Sequence, residues 1–387
     1  MTVPRAAVAG LGVTEVGKVY DRTAAQFAAD AVRLAVADAG LSVGDIDGLL
    51  VSSGVTRGVR MDLQVDLGLR DLRFLSEMQA FGTTAIAMIQ TAAMAVISGT
   101  ASAVACVWAD DPLQPQATTG SVYGRSGGNF PGPWTTVYAS SGMFVGSARY
   151  AMAARRHMER FGTTHEQLGA IAVAQRRWAE LNPQAQMRSP LSLDQYLASR
   201  WVAEPFRLLD CCLVSNGGAA VIVTSAERAA DLQQPVVAVA GWGSAHPGRA
   251  MRRDEDFGIR SGAAQSGPRA LEMAGLKIED IDVFELYDCY TFTALLTMED
   301  YGICPKGEGG PFAASGALGP DGTVKVNTGG GQLSGFYLWG MTPVVEGVTQ
   351  ARGQAGARQV RSHDRVMVSG NGGILDHHAT LVLEAER

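Results

Sequence analysis

The segment Glu285–Phe292, ELYDCYTF, crowds two tyrosines, a carboxylate and a thiol into four adjacent positions. Cys289 has the residue type of a nucleophile, and Tyr287 and Asp288 stand beside it. Read on its own, however, a lone cysteine is most often a buried, inert thiol, and a tyrosine at a strand end is most often packing. A second segment, Asn327–Pro343, reads NTGGGQLSGFYLWGMTP. Its three consecutive glycines permit close approach of backbone to a ligand, and Tyr337 follows them at a predicted helix start. No Gly-Lys-Ser/Thr follows, so this is not a phosphate-binding Walker loop. A third segment, Ser369–His378, SGNGGILDHH, offers the backbone N–H groups of Gly372 and Gly373, next to Asn371, as an oxyanion hole. His377 and His378 are adjacent and point to opposite faces of a strand, which suits a structural or rim role better than one shared metal. A fourth segment, Ser76–Ile89, SEMQAFGTTAIAMI, places Gly82 at the entrance of a buried helix, where a nucleophile would be activated. The residues available there are Gln79, Ala80, Phe81 and Gly82, and none is a nucleophile.

These segments need a scaffold, and the chain repeats itself. AVAGLG begins at Ala7 and AVAGWG at Ala238, an offset of 231. AVADAGLSVGDIDGLLV begins at Ala35 and ALEMAGLKIEDIDVFEL at Ala270, an offset of 235. Asn-Gly-Gly precedes a β-branched or leucine-rich run after Ser215 and again after Ser369. Two motifs at nearly one offset define two equivalent halves, 1–230 and 231–387. Within the first half a strand (about 5–10) precedes an alanine-rich helix (about 24–39) that Gly40 ends in a left-handed cap. A strand (about 48–52), a buried helix (about 83–98) and a strand (about 102–108) follow. Strands alternating with helices predict a largely parallel sheet covered on both faces, hence a pseudo-symmetric layered α/β protein. An insertion, roughly 111–205, opens with the loop-rich stretch Gly120–Trp134 and continues as helices; such an excursion forms a lid or substrate cap.

No charge occurs between Glu77 and Asp110, a stretch long enough to span a bilayer. Its Ala, Thr, Ser and Gly content, Gln90, and the break at Ser98–Thr100 favour a buried helix and strand instead. The net charge of −6 and the absence of a basic cluster speak against nucleic acid. Five cysteines without CxxC pairs argue against a disulfide framework or a zinc site and fit a reducing cytoplasm, and the N-terminus lacks a signal-peptide layout. His157, His165, His246 and His363 sit in polar surroundings without ligand spacing.

The four segments, in this order and with this duplication, resemble the thiolase superfamily, in its sterol-carrier-protein-type (lipid-transfer) branch. The resemblance covers essentially the whole chain and includes His157–Pro183, EPFRLLDCC (Glu204–Cys212) and LLTMEDYGICPKGEGG (Leu295–Gly310). It implies a thiolase fold of two βαβαβαββ halves in αβαβα layers. The family's catalytic residues do not carry over. Gln79 stands where such thiolases place the nucleophilic cysteine, and Tyr287 and Tyr337 stand where they place two histidines. No cysteine occurs near Asn371–Gly373. Claisen chemistry through an acyl-enzyme is therefore ruled out. Tyrosines at both histidine positions resemble the thiolase-like aldolases of bacterial steroid side-chain degradation. These cleave a 17-hydroxy steroid acyl-CoA to a 17-keto steroid and propionyl-CoA.

The resemblance implies Tyr287 and Tyr337 as acid and base, with Gly372, Gly373 and Asn371 at the thioester and Asp288, Cys289 and Gln79 in support. It also implies a homodimer, an OB-fold/zinc-ribbon partner that would hold any zinc, and no cofactor beyond the substrate's CoA. Arg125, Arg155, Arg156, Arg176 and Arg177 are candidate CoA contacts. The alternatives are a non-catalytic acyl-CoA or lipid carrier, a lyase or transferase on a non-steroid acyl-CoA, and a structural subunit.

Overall fold

Each half of the chain lays down five strands in one order. The computed structural model describes residues 5–116, 140–143, 146–248 and 254–386. The first half supplies β1 (Ala6–Val13), β2 (Gly48–Ser53), β3 (Phe74–Glu77), β4 (Ala103–Asp110) and, after a hairpin of β5 (Trp201–Ala203) and β6 (Phe206–Arg207), β7 (Gly217–Ser225). The second half supplies β8 (Val237–Ala245), β9 (Val283–Glu285), β10 (Lys325–Val326), β11 (Arg365–Gly372) and β12 (His377–Ala385). The halves run β1-β7-β4-β2-β3 and β8-β12-β11-β9-β10, and the edge strands β1 and β8 join them into a ten-stranded sheet. The joint pairs Ala7 with Ala238, which are themselves equivalent in the sequence repeat, so a pseudo-twofold axis passes there.

The sheet is mixed rather than largely parallel. β2 is parallel to β3 and β4, and β9 to β10 and β11, but β4–β7, β7–β1, β11–β12 and β12–β8 are antiparallel. For the β11–β12 pair the reason is local: β11 returns directly into β12 through a four-residue turn, too short for a parallel crossover.

Helices α1 (Ala24–Asp38), α2 (Leu63–Asp66) and α3 (Thr84–Ile97) lie in the first half. The insertion holds α4 (Gly146–Phe161) and α5 (His165–Glu180). The second half adds α6 (Ala263–Ala274), α7 (Thr291–Tyr301), α8 (Gly309–Ala314) and α9 (Met341–Ala351). α1 covers β1, β4 and β7; α6 covers β8 and β12; α3 and α9 meet between the halves and touch strands of both. These are the expected αβαβα layers.

The repeat has a packing cause. A Cβ on Gly10 or Gly12 would lie 2.1–2.2 Å from the Ala35 or Ala31 carbonyl oxygen of α1. On Gly241 or Gly243 it would lie 2.2 Å from the Ala270 or Ser266 oxygen of α6. Glycine lets each outer helix rest on its strand, and the same spacing recurs because the same contact recurs. Gly40 and Gly275 adopt φ +72° and +69° and end α1 and α6 alike.

The charge-free stretch after Glu77 is the buried α3 and β4, and among the described residues no helix is long and apolar enough to cross a membrane. Gln90 on α3 is satisfied across the central layer, donating to the Gly243 and Thr380 carbonyls and accepting from Ser244 Oγ. In the insertion, α5 packs on α7, α8 and the glycine turn 331–335, so this excursion of the first half covers the second. Gly120–Trp134, and Arg125 with it, lies outside the described residues.

Candidate active site

The four segments singled out above meet at one point. β9 ends at Glu285 between β10 and β11, and Tyr287 follows it with its N–H donating to Ser369 Oγ of β11 (2.9 Å). This aims the ring past the carboxyl end of the strand, where open α/β sheets place their sites. The glycine turn Gly331–Gly335 then delivers Tyr337, whose N–H donates to Ser215 Oγ (3.0 Å). The Tyr287 and Tyr337 hydroxyls are 3.0 Å apart, and both side chains are buried. Gly82 forms the corner beneath them: a Cβ there would lie 2.3 Å from the Tyr287 ring and 2.4 Å from the Asn371 carbonyl oxygen.

Asp288 turns away from the tyrosine pair. Its carboxylate accepts the Gln332 N–H (2.9 and 3.1 Å) and faces the Leu333 N–H (3.4 Å), and it presses on Gly331, where a Cβ would meet it at 2.2 Å. Burial pushes Asp288 up to about 7 against the pull of those N–H donors. Arg176 is buried and donates to Ser334 Oγ (2.9 Å) and the Ser189 carbonyl (3.0 Å). It fastens the glycine turn and is not a surface arginine waiting for CoA. Arg177 is tied to Asp321 (2.5 Å), while Arg155 (to Glu204, 2.7 Å) and Arg156 (to the Asp254 carbonyl) line an open groove along α4.

Gln79 lies on the exposed rim. Its Nε2 donates to the Ser53 carbonyl (3.1 Å) and its Oε1 accepts from the Phe81 N–H (3.0 Å), bracing Phe81 at a left-handed φ of +54°. Cys289 is buried, 3.9 Å from Thr293 Oγ1, and burial pushes its thiol up to about 12, so no thiolate is available at neutral pH. Burial also pushes Tyr287 well above the ordinary phenol value, and neighbouring Cys289 and Tyr150 raise it further. Tyr287 is therefore a phenol, able to donate or to relay a proton.

The histidines stay outside. His378 is buried against Ser266 Oγ (2.8 Å) and lowered by burial to about 3, and His377 contacts His246 at the surface (3.2 Å). His157 is fully buried, with its two ring nitrogens bonded to Thr163 (3.0 Å) and Glu299 (3.0 Å). Among the described residues, no group of three or more His, Cys, Asp or Glu side chains could hold a metal ion.

Two residues escaped sequence reasoning. Tyr150 of α4 reaches in from the insertion, donating to the Gly373 carbonyl (2.9 Å) and accepting from Asn371 Nδ2 (3.0 Å). Cys212 lies beside Tyr337, with its backbone N–H on the Cys289 carbonyl (3.0 Å). No local motif marks Tyr150, which sits in an alanine-rich helical pattern. Cys212 was visible only as the end of EPFRLLDCC.

Duplicated βαβαβαββ halves, a glycine-rich turn and a candidate site between β9, β11 and α3 define the thiolase fold. Residues 243–385 match the family "Thiolase C-terminal domain-like". The chain is 35% identical to the steroid side-chain-cleaving aldolase of Thermomonospora curvata, over 99% of this chain and 98% of that one. It is also 35% identical to the 17-hydroxy-3-oxo-4-pregnene-20-carboxyl-CoA lyase of Mycobacterium tuberculosis, over 96% of this chain and 97% of that one. The solved Ltp2–ChsH2(DUF35) aldolase superposes with a TM-score of 0.90 at 33% identity, covering 100% of both chains. The chain belongs to the thiolase superfamily, among its steroid side-chain-cleaving aldolases.

Proposed function

We propose that this chain is a carbon–carbon lyase that cleaves a β-hydroxyacyl-CoA by retro-aldol chemistry, with a 17-hydroxy steroid acyl-CoA as substrate and a 17-keto steroid and propionyl-CoA as products. The observation that carries this reading is the 3.0 Å contact between the Tyr287 and Tyr337 hydroxyls, standing where a thiolase needs its two histidines. The names borne by full-length relatives support it.

The reaction needs no nucleophile. The β-hydroxyl loses its proton and becomes a carbonyl. The Cα–Cβ bond breaks, and its electron pair goes to the α-carbon as the CoA enolate. That carbon then takes up a proton. Two phenols in contact can pass this proton: one receives it from the substrate hydroxyl while its own moves on through the other to the α-carbon. No free phenolate accumulates, so the raised pKa of Tyr287 is no obstacle. The Gly372 and Gly373 N–H groups hold the thioester oxygen while enolate charge develops. Asp288 and Arg176 act through the turn they fasten. The groove along α4, of about 690 Å³ and lined by Met152, Arg155, Arg156 and Phe257, is of a size to admit the CoA arm.

The working assembly is a homodimer built through the core, joined by an OB-fold partner of the DUF35 type that holds any zinc. Its setting is the cytoplasm, where five unpaired cysteines are at ease. The test is to purify the chain with that partner and supply a 17-hydroxy steroid acyl-CoA. Equimolar ketone and propionyl-CoA support the reading. Tight binding of the ester without cleavage would establish a carrier instead.

A further inference from the structure

Tyr150 has one hydroxyl proton, and it is spent on the Gly373 carbonyl oxygen at 2.9 Å. The Tyr150 hydroxyl oxygen lies 3.0 Å from the Asn371 side chain, and with its proton already donated it must accept there, so Asn371 must present its N–H. This fixes the orientation of the amide. The remaining atom, Asn371 Oδ1, is buried and has no hydrogen-bond partner, in a residue only 2% exposed. A buried carbonyl oxygen without a donor is costly, and beside a candidate active site it is a position a ligand can complete.

The surroundings say which ligand. The Asn371 main chain abuts Gly82 under the Tyr287 ring, and Tyr150 lies close enough to Tyr287 to perturb it. The unpaired acceptor therefore belongs to the tyrosine cluster. Neither a thioester oxygen nor an enolate oxygen can satisfy it, because both are acceptors. The group on the substrate that carries a proton to donate is the β-hydroxyl. The side chain of Asn371 is thus an acceptor site and not part of the oxyanion hole.

We propose that Asn371 Oδ1, held in orientation by Tyr150, accepts the hydrogen bond of the substrate's β-hydroxyl and selects hydroxylated acyl-CoA esters over their deoxy counterparts. Asn371 would touch substrate; Tyr150 is a positioning residue. The inference rests on the retro-aldol reading and deepens it. It also gives the insertion a chemical task, since α4 contributes a side chain that sets which atom of Asn371 faces the ligand.

The test uses the chain with its partner and two thioether analogues of the steroid acyl-CoA, one with and one without the β-hydroxyl. A thioether lacks the carbonyl that receives the electron pair, so neither analogue is cleaved and equilibrium affinities can be measured by calorimetry. The wild type is expected to prefer the hydroxylated analogue by about tenfold, the worth of one buried hydrogen bond. Asn371→Ala should bring the ratio to about one, and Tyr150→Phe, which keeps the ring packing, should lower it severalfold by freeing the amide to rotate. A ratio near one in the wild type, or an unchanged ratio in a folded Tyr150→Phe or Asn371→Ala protein, would overturn the inference. Cleavage of the natural thioester is measured separately. Cleavage with no effect of the variants on the ratio sinks this inference alone; a ratio that collapses as expected in a protein that cleaves nothing sinks only the retro-aldol reading.

Discussion

Both halves of the molecule use a buried aspartate to clamp a loop at the carboxyl end of the sheet. In the first half Asp110 accepts the Val55 (2.7 Å) and Thr56 (3.1 Å) N–H groups and presses on Gly54, where a Cβ would meet it at 1.9 Å. In the second half Asp288 accepts from Gln332, faces Leu333 and presses on Gly331 at 2.2 Å. Burial raises both carboxyls. The device is shared but the payload is not. The first clamp steadies Ser53, whose carbonyl holds Gln79 at the rim. The second steadies the turn that delivers Tyr337 to Tyr287. Duplication supplied two equal scaffolds, and the proposed acid–base pair stands in the second, with the first contributing the Gly82 corner and the insertion's Tyr150.

That asymmetry can be broken experimentally. Tyr287→Phe and Tyr337→Phe should each lower the cleavage rate about a thousandfold, the range for removing a positioned acid–base group, with little change in melting temperature. A loss below tenfold for both would return the site to binding alone. Gly82→Ala should cost roughly 1–3 kcal/mol in denaturant unfolding and on the order of a hundredfold in rate, because the added methyl displaces the Tyr287 ring. Asp288 gives a pH signature. Its folded value of about 7 lies above the ordinary 3.8, so the folded protein holds the extra proton between them. Stability should therefore fall as pH rises through that window and level off above it, by on the order of a few kcal/mol. Asp288→Asn should flatten this slope, as urea titrations at stepped pH would show. The smallest effects belong to Gln79→Ala and Cys289→Ala, where turnover should stay within about threefold of wild type, as for residues outside the chemistry.

The sequence carried the architecture well because the repeat reports packing: Gly10, Gly12, Gly241 and Gly243 recur since two helices must rest on two strands. The antiparallel centre of the sheet was not legible, because the return of β11 into β12 depends on a four-residue turn without a strong hairpin signal, and β7 reaches β4 only after the long insertion. In the site, Tyr287 and Tyr337 stood out by occupying a family's histidine positions. Their mutual contact, and the part played by Tyr150, come from residues far apart in the chain that no local spacing links. Arg176, a candidate CoA contact by residue type, was not legible for the opposite reason: only tertiary burial shows it as an internal fastener of the glycine turn.

On the retro-aldol reading, carbon–carbon cleavage proceeds through the tyrosine pair and never through an acyl-enzyme. A rapid-quench single turnover of the chain with its partner and a 17-hydroxy steroid acyl-CoA, followed by intact-mass measurement of the chain, tests it directly. Ketone and propionyl-CoA should form together, one for one, while the chain keeps its unmodified mass at every time point. An acyl group on the chain that builds up and decays as product appears would contradict it.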